Sequence, residues 1–210
     1  MATRENAVAE ATRMDWEEVD LYRFFAAAFG EPTRERFEWL HQAALGDAVE
    51  ELWKRLGNEA PLPELGGYDS YEDYESTYLA LFEVGMPEPP IPLVESSHRK
   101  SEPAQAVALD CTLFYEVMEL RANPAGYPLD HLVTQLEFLS AVRYAGEKGS
   151  DVEARKGLVK LERDFLERHL LRWFPSVEQK LQREQPPLFY PLTSVLNSFL
   201  RRRHAETTDH

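Results

Sequence analysis

The chain has 210 residues, is 43% hydrophobic and 29% charged, and carries a formal net charge of −14 from 37 acidic and 23 basic side chains. Length and composition fit a folded globular chain with one well-buried domain and argue against disorder. So acidic a surface repels nucleic acid and anionic membrane and attracts cationic partners, a basic peptide among them. Cys111 is the one cysteine, which excludes an internal disulfide framework and a cysteine-rich zinc site. The opening MATRENAVAEATRMDW lacks a signal-peptide core, and the apolar run FFAAAF is far short of a membrane span. A soluble, cytoplasmic protein is expected.

Helix signals dominate from the start. MDWEEVDLYRFFAAAFG places Trp16, Val19, Tyr22 or Arg23, and Ala26 at helical intervals, with Gly30 and Pro32 as the stop. Thr33 is placed to cap a short helix ending near Gly46. Asp47 and Glu50 form an acidic capping box that opens AVEELWKRL, closed by Gly57. PLPELGGYD reads as a turn-rich connection. Ser70 caps YEDYESTYLALFEVG, in which Tyr71, Tyr74, Tyr78, Leu81 and Phe82 fall on one helical face. GMPEPPIPLVESSHRKSEP, from Gly85 to Pro103, holds five prolines and is extended or looped. Loops of that length are often functional.

Ser101 and Pro103 suit the start of AQAVALDCTLFYEVMEL. NPAGYP separates that helix from LDHLVTQLEFLSAVRYAG, whose apolar stripe is Leu132, Val133, Leu136, Leu139 and Val142 and whose N-terminal cap is Asp130. Ser150 and Glu153 form a capping box for a helix reaching Trp173 and stopping at Pro175. A short helix over SVEQKLQRE and a last one through FYPLTSVLNSFLRRR complete the chain. The expectation is an all-α, single-domain bundle of about eight or nine helices over 1–210. Its halves, 1–121 and 128–210, are joined by the Pro/Gly connection.

Asp130 and His131 invite a catalytic reading, but a dyad needs a nucleophile or an orienting third group and the sequence supplies neither. The plain reading is a helix cap beside a surface histidine. Two Glu-x-x-His strings, Glu38 with His41 and Glu95 with His98, resemble the ligand pattern of helical di-iron proteins, so a di-metal enzyme is the alternative. Nucleotide-loop, zinc-protease and hydrolase motifs are absent. Cys111 lies mid-helix among Leu109, Leu113 and Phe114, as a buried inert thiol does. No catalytic residue, metal ligand or cofactor is assigned. The aromatic stripe Tyr71, Tyr74, Tyr78 and Phe82 suits a core, yet its end runs into Pro90, Ile91, Pro92, Leu93 and Val94. An acid-rimmed apolar groove there suits a basic-apolar peptide, and a generic helical adaptor is a third reading.

Four strings carry a resemblance. YLALFEVGMPEPPIPLVESSHR, YPLDHLVTQLEFL, FLERHLLRWFPSVEQKL and PLFYPLTSVLNSFL are similar, in order and spacing, to elements of the TorD/DmsD/NarJ family of redox-enzyme maturation chaperones. The resemblance covers nearly the whole chain and implies an all-helical cytoplasmic protein that is not an enzyme. It implies binding of the apo catalytic subunit, or its twin-arginine signal peptide, of a molybdopterin oxidoreductase of the dimethyl sulfoxide reductase family until the cofactor is inserted. It implies peptide contacts at Tyr78, Leu81, Phe82, Pro90 and Pro92, at the Glu-Ser pair Glu95 and Ser96, and at the Asp-His element Asp130 and His131. In that reading Asp130 caps its helix and also meets a signal-peptide arginine, and the chain is a monomer or a domain-swapped dimer.

Overall fold

The last helix organises the rest. In this computed structural model, which describes residues 20–208 apart from 122, 124 and 150, the helix Phe189–Thr208 is buried along most of its length. The helices are α1 (Leu21–Ala28), α2 (Arg34–Leu40), α3 (Ala44–Arg55), α4 (Tyr71–Tyr78), α5 (Ala104–Val117), α6 (Leu132–Lys148), α7 (Val152–Arg168), α8 (Leu170–Glu184) and α9 (Phe189–Thr208). A π-helical turn, Leu79–Glu83, continues α4, and a 3-10 turn, Glu95–Ser97, lies in the proline-rich loop. Among the described residues there is no strand, only one antiparallel bridge between Val94 and His131. None of the helices is long and apolar enough to cross a membrane. Trp16, Val19 and Ser150 lie outside the described residues.

α9 packs on α7, α8 and α3, while α1 packs on α6. The Phe189 ring is the meeting point of the aromatic stripe, with Tyr74 and Tyr78 at 5.9 Å and Phe82 at 5.1 Å between centroids. The connection that precedes α4 lies close against the entry to α9: Gly66 N–H donates to Pro187 O at 2.9 Å, and a Cβ on Gly66 would stand 2.8 Å from the Pro187 ring. Only glycine fits there.

Local signals held where packing agreed with them. Thr33 and Ser70 cap α2 and α4 through their hydroxyls, and Gly57 follows α3 at φ 84°. Four expectations need correction. α2 ends at Leu40, and α3 begins at Ala44 without a side-chain cap, running through Gly46 and Asp47 because Leu45, Ala48, Val49 and Leu52 all bury one face. α5 starts from Pro103 itself, with no help from a Ser101 hydroxyl. The expected helix to Trp173 breaks at His169 (φ −119°, ψ −92°), and α8 then carries straight through Pro175. Proline removes one backbone bond there, but Trp173, Phe174, Val177 and Leu181 are buried on one face and hold the helix. Finally, α6 is capped by His131, whose Nδ1 accepts from Val133 N–H at 3.2 Å, rather than by Asp130.

Asp130 has another task. Its Oδ2 accepts from Ser96 N–H at 3.0 Å, and its carbonyl accepts from Glu95 N–H at 2.9 Å. Leu132 N–H donates to Leu93 O at 2.8 Å, completing a two-rung clamp between the loop and the entry to α6. Beneath it Glu95 is fully buried and receives Arg99 Nη1 at 2.5 Å, Gln135 Nε2 at 2.5 Å and His169 Nδ1 at 2.9 Å. Gln135 is itself oriented by Trp173, whose indole N–H donates to Oε1 at 3.1 Å. One carboxylate thus ties the loop to α6 and to the α7–α8 junction. Removing the carboxylate leaves the Gln135 amide and His169 Nδ1 buried without their acceptor, at a cost of about 2–6 kcal/mol in all, while Arg99 keeps Glu102. Glu95→Ala is expected to lower unfolding free energy by that amount in urea titration, whereas a loss under about 1 kcal/mol would show that the clamp is not structural.

Candidate peptide-binding groove

The π turn sets one wall. Val84 N–H donates to Leu79 O at 2.7 Å, an i to i+5 closure, so α4 widens just where it meets the loop. Phe82 turns inward onto Tyr78 and Phe189, and Leu79 turns outward. The second wall is Pro89 to Val94, held by Ile91 N–H to Leu81 O at 2.9 Å and by Lys180 Nζ to Pro90 O at 3.1 Å. The third is Ala125 to His131. Between them lies an open cleft of about 580 Å³, of the size that holds a few peptide side chains.

Four of the expected contact residues line this cleft or its floor: Tyr78, Phe82, Pro92 and His131. Tyr78 is fully buried, its hydroxyl donating to Phe29 O at 3.1 Å, so it offers a ring edge rather than a polar tip. Leu81 packs half-buried behind the wall, and Pro90 is exposed outside it. Glu95, Ser96 and Asp130 do not line the cleft, and their hydrogen bonds brace its walls from behind.

His131 is buried to 3% exposure and stacks on Tyr127 at 4.3 Å and 12°. Burial pushes its pKa down to about 4, so the imidazole is neutral at ordinary pH. With Nδ1 taken by Val133 N–H, the proton belongs on Nε2, where it is available as a donor. At the far end stand Glu31 and Glu83, both on the cleft lining. Burial first, and then the Glu31 charge, push the Glu83 carboxyl above its ordinary range. Neither carboxylate has a basic partner among the described residues. Glu31, Glu83, Leu79 and Tyr127 were not legible in the sequence as site residues, because Glu31 and Glu83 are brought together only by the fold. Val84 and Met86, 63% and 98% exposed, add apolar surface on the loop that follows Glu83.

Neither Glu-x-x-His string builds a metal site. His41 donates from Nδ1 to Phe37 O at 2.7 Å and accepts Tyr68 N–H on Nε2 at 2.7 Å, while Glu38 is exposed. His98 spends Nε2 on Pro92 O and Nδ1 on the Ser176 hydroxyl, both at 2.7 Å. Glu95 pairs instead with His169, and with Cys111 they place three ligand-type atoms within 4.8 Å of one another. That cluster is filled by donors: the Gln135 amide, fixed by Trp173, aims its NH₂ at the same carboxylate oxygen. Burial pushes the Cys111 thiol up to about 12, so it stays protonated and unreactive.

Residues 42–179, which include every wall of the cleft except Glu31 and Pro32, match the nitrate reductase delta subunit family. The chain is 34% identical over 139 residues to the chlorate reductase assembly chaperone protein of Ideonella dechloratans, covering 63% of this chain and 68% of that one. It is 34% identical over 119 residues to the selenate reductase assembly chaperone protein of Thauera selenatis, covering 54% and 60%. It is 30% identical over 136 residues to the perchlorate reductase assembly chaperone protein of Dechloromonas aromatica, covering 63% and 60%. The matches thus span about three fifths to two thirds of these relatives' length. In fold, the chain is similar to a crystal structure of a candidate redox enzyme maturation protein from Archaeoglobus fulgidus, with a TM-score of 0.51 at 17% identity over 92% of this chain and 96% of that one. The chain therefore belongs to the nitrate reductase delta subunit family, among the TorD/DmsD-like redox-enzyme maturation chaperones.

Proposed function

We propose that the chain is a non-catalytic cytoplasmic assembly chaperone for the apo catalytic subunit of a molybdopterin reductase of the dimethyl sulfoxide reductase family. It holds a basic-apolar N-terminal segment of that subunit, of twin-arginine type, until the cofactor is inserted. The family and the relatives' names support the chaperone role. The observation that carries the peptide reading is the unpaired Glu31–Glu83 couple at the end of a cleft floored by Tyr78, Phe82, Pro92 and Leu93. A guanidinium arriving there relieves the repulsion between the two acids and gains charge-assisted hydrogen bonds. Apolar side chains following it cover the aromatic floor, and His131 Nε2–H is available to a peptide carbonyl.

Three outcomes are expected. The double change Glu31→Gln/Glu83→Gln weakens a fluorescent twin-arginine peptide about tenfold or more, with an unchanged melting curve, because charge is lost but shape is kept. Unchanged affinity in an equilibrium titration would remove the acid pair from the site. Asp130→Asn keeps an acceptor for Ser96 N–H, so peptide affinity should stay within about twofold. A tenfold loss would mean that the carboxylate itself reaches the peptide.

The third concerns pH. The folded-state pKa of His131 near 4 lies below the unfolded value of about 6.5, so the unfolded chain binds more protons between them. Its contribution to stability is complete above pH 6.5 and is lost as pH falls toward 4. His131→Asn keeps a capping oxygen but cannot titrate, and its stability should fall less over that window. Parallel urea midpoints for the two proteins from pH 7 to about 4.5 would contradict the assignment.

A further inference from the structure

α5 is apolar on two faces, and the fold covers only one. Val107, Cys111, Phe114 and Tyr115 turn inward and are buried. On the opposite side Ala106, Leu109, Leu113 and Val117 follow one another at intervals of three and four residues, a stripe about 17 Å long. Leu109, Leu113 and Val117 are 61%, 53% and 66% exposed, and Leu120, just beyond the helix end, is 40% exposed. A helix with a second apolar stripe opposite its buried face is the pattern of a helix covered on both sides. The stripe also leads somewhere. Leu120 borders a second cleft, of about 460 Å³, whose apolar lining includes Tyr115, Leu129 and Phe138.

Acids flank the stripe. At about 100° per residue, Glu116 falls on one edge and Asp110 on the other. Asp110 is held by Arg168 at 2.5 Å, while Glu116 has no basic partner among the described residues. A second copy of the chain fits poorly: antiparallel pairing about Leu113 sets Leu109 against Val117, but it brings together two chains that each carry −14. Charge complementarity instead selects a cationic neighbour.

We propose that the outer face of α5 docks one amphipathic helix of a partner protein, apolar along one side and bearing lysine or arginine at its edges. One large apolar side chain of that helix would occupy the cleft beside Leu120. The cleft beside Leu120 meets the Tyr78–His131 groove at Gly126 and Tyr127, which line both, but Leu109, Leu113 and Val117 line neither, so changes there leave the groove intact.

The test uses two synthetic leucine–lysine peptides of identical composition, each about five helical turns long. One is ordered to form an amphipathic helix, and the other is scrambled to have no apolar face. Both are titrated into the full chain at near-physiological salt. The amphipathic peptide is expected to bind about tenfold tighter or more. That preference should vanish in Leu113→Gln/Val117→Gln and persist in Glu31→Gln/Glu83→Gln. Leu109→Gln alone replaces the α5 pair if the double variant melts early. Equal affinity for the two peptides would reduce the effect to bulk charge and overturn the proposal. So would a preference that survives the α5 change and is lost with the groove change, which would send the helix to the groove. Dimerisation through α5 in sedimentation without peptide would make the occupant a second copy, and would overturn it as well.

Discussion

The groove depends on a charge buried where charges are rarely found. A proline-rich loop has no ladder of its own, so its shape comes from whatever holds it to the bundle. Here that is Glu95, which draws in a guanidinium, an amide and an imidazole from three parts of the chain. Taking a carboxylate out of water costs several kcal/mol, and only a full set of donors offsets it. The same requirement makes the arrangement specific: a loop shifted by one residue would leave the donors facing nothing. Arg99 is also anchored to Glu102 through Nε at 2.8 Å, so the clamp extends to the entry of α5. Ser96 and Asp130, which look like contact residues, hold the other side of that loop in register.

Much of the fold was legible in residue patterns because helix periodicity and packing agree over most of the chain. The stripe Leu132, Val133, Leu136, Leu139 and Val142 is buried as its spacing requires, and so is the aromatic stripe through Tyr74, Tyr78 and Phe82. Boundaries failed where tertiary burial outweighed a local signal. Pro175 looked like a stop, and the buried face of α8 overrode it. Asp130 looked like a better cap than His131, since carboxylates cap more often. Its carboxylate is instead committed to an amide 34 residues away, which no local pattern reveals.

The site was half legible. Tyr78, Phe82, Pro92 and His131 sit on the cleft, while Glu95, Ser96 and Asp130 serve it from behind. The string Glu95 to His98 suggested a shared ligand, but the segment is a single 3-10 turn whose two side chains go to different partners, Glu95 to His169 and His98 to Pro92 O. Glu31 and Glu83 gave no signal at all. They lie on separate elements, and their meaning comes from being close, unpaired and at one end of an apolar channel. In the proposed complex the net charge of −14 would act at longer range, steering a cationic peptide toward that end before any contact forms.

The most direct test of this account is to locate the bound peptide. A twin-arginine peptide carrying a photo-reactive phenylalanine analogue immediately after the second arginine is irradiated with the intact chain, and the cross-linked residues are identified by mass spectrometry. The account predicts cross-links within residues 78–83 and 125–131, the facing walls of the cleft beyond the Glu31–Glu83 couple. Cross-links confined to the outer face of α5, or scattered over the acidic surface, would contradict it.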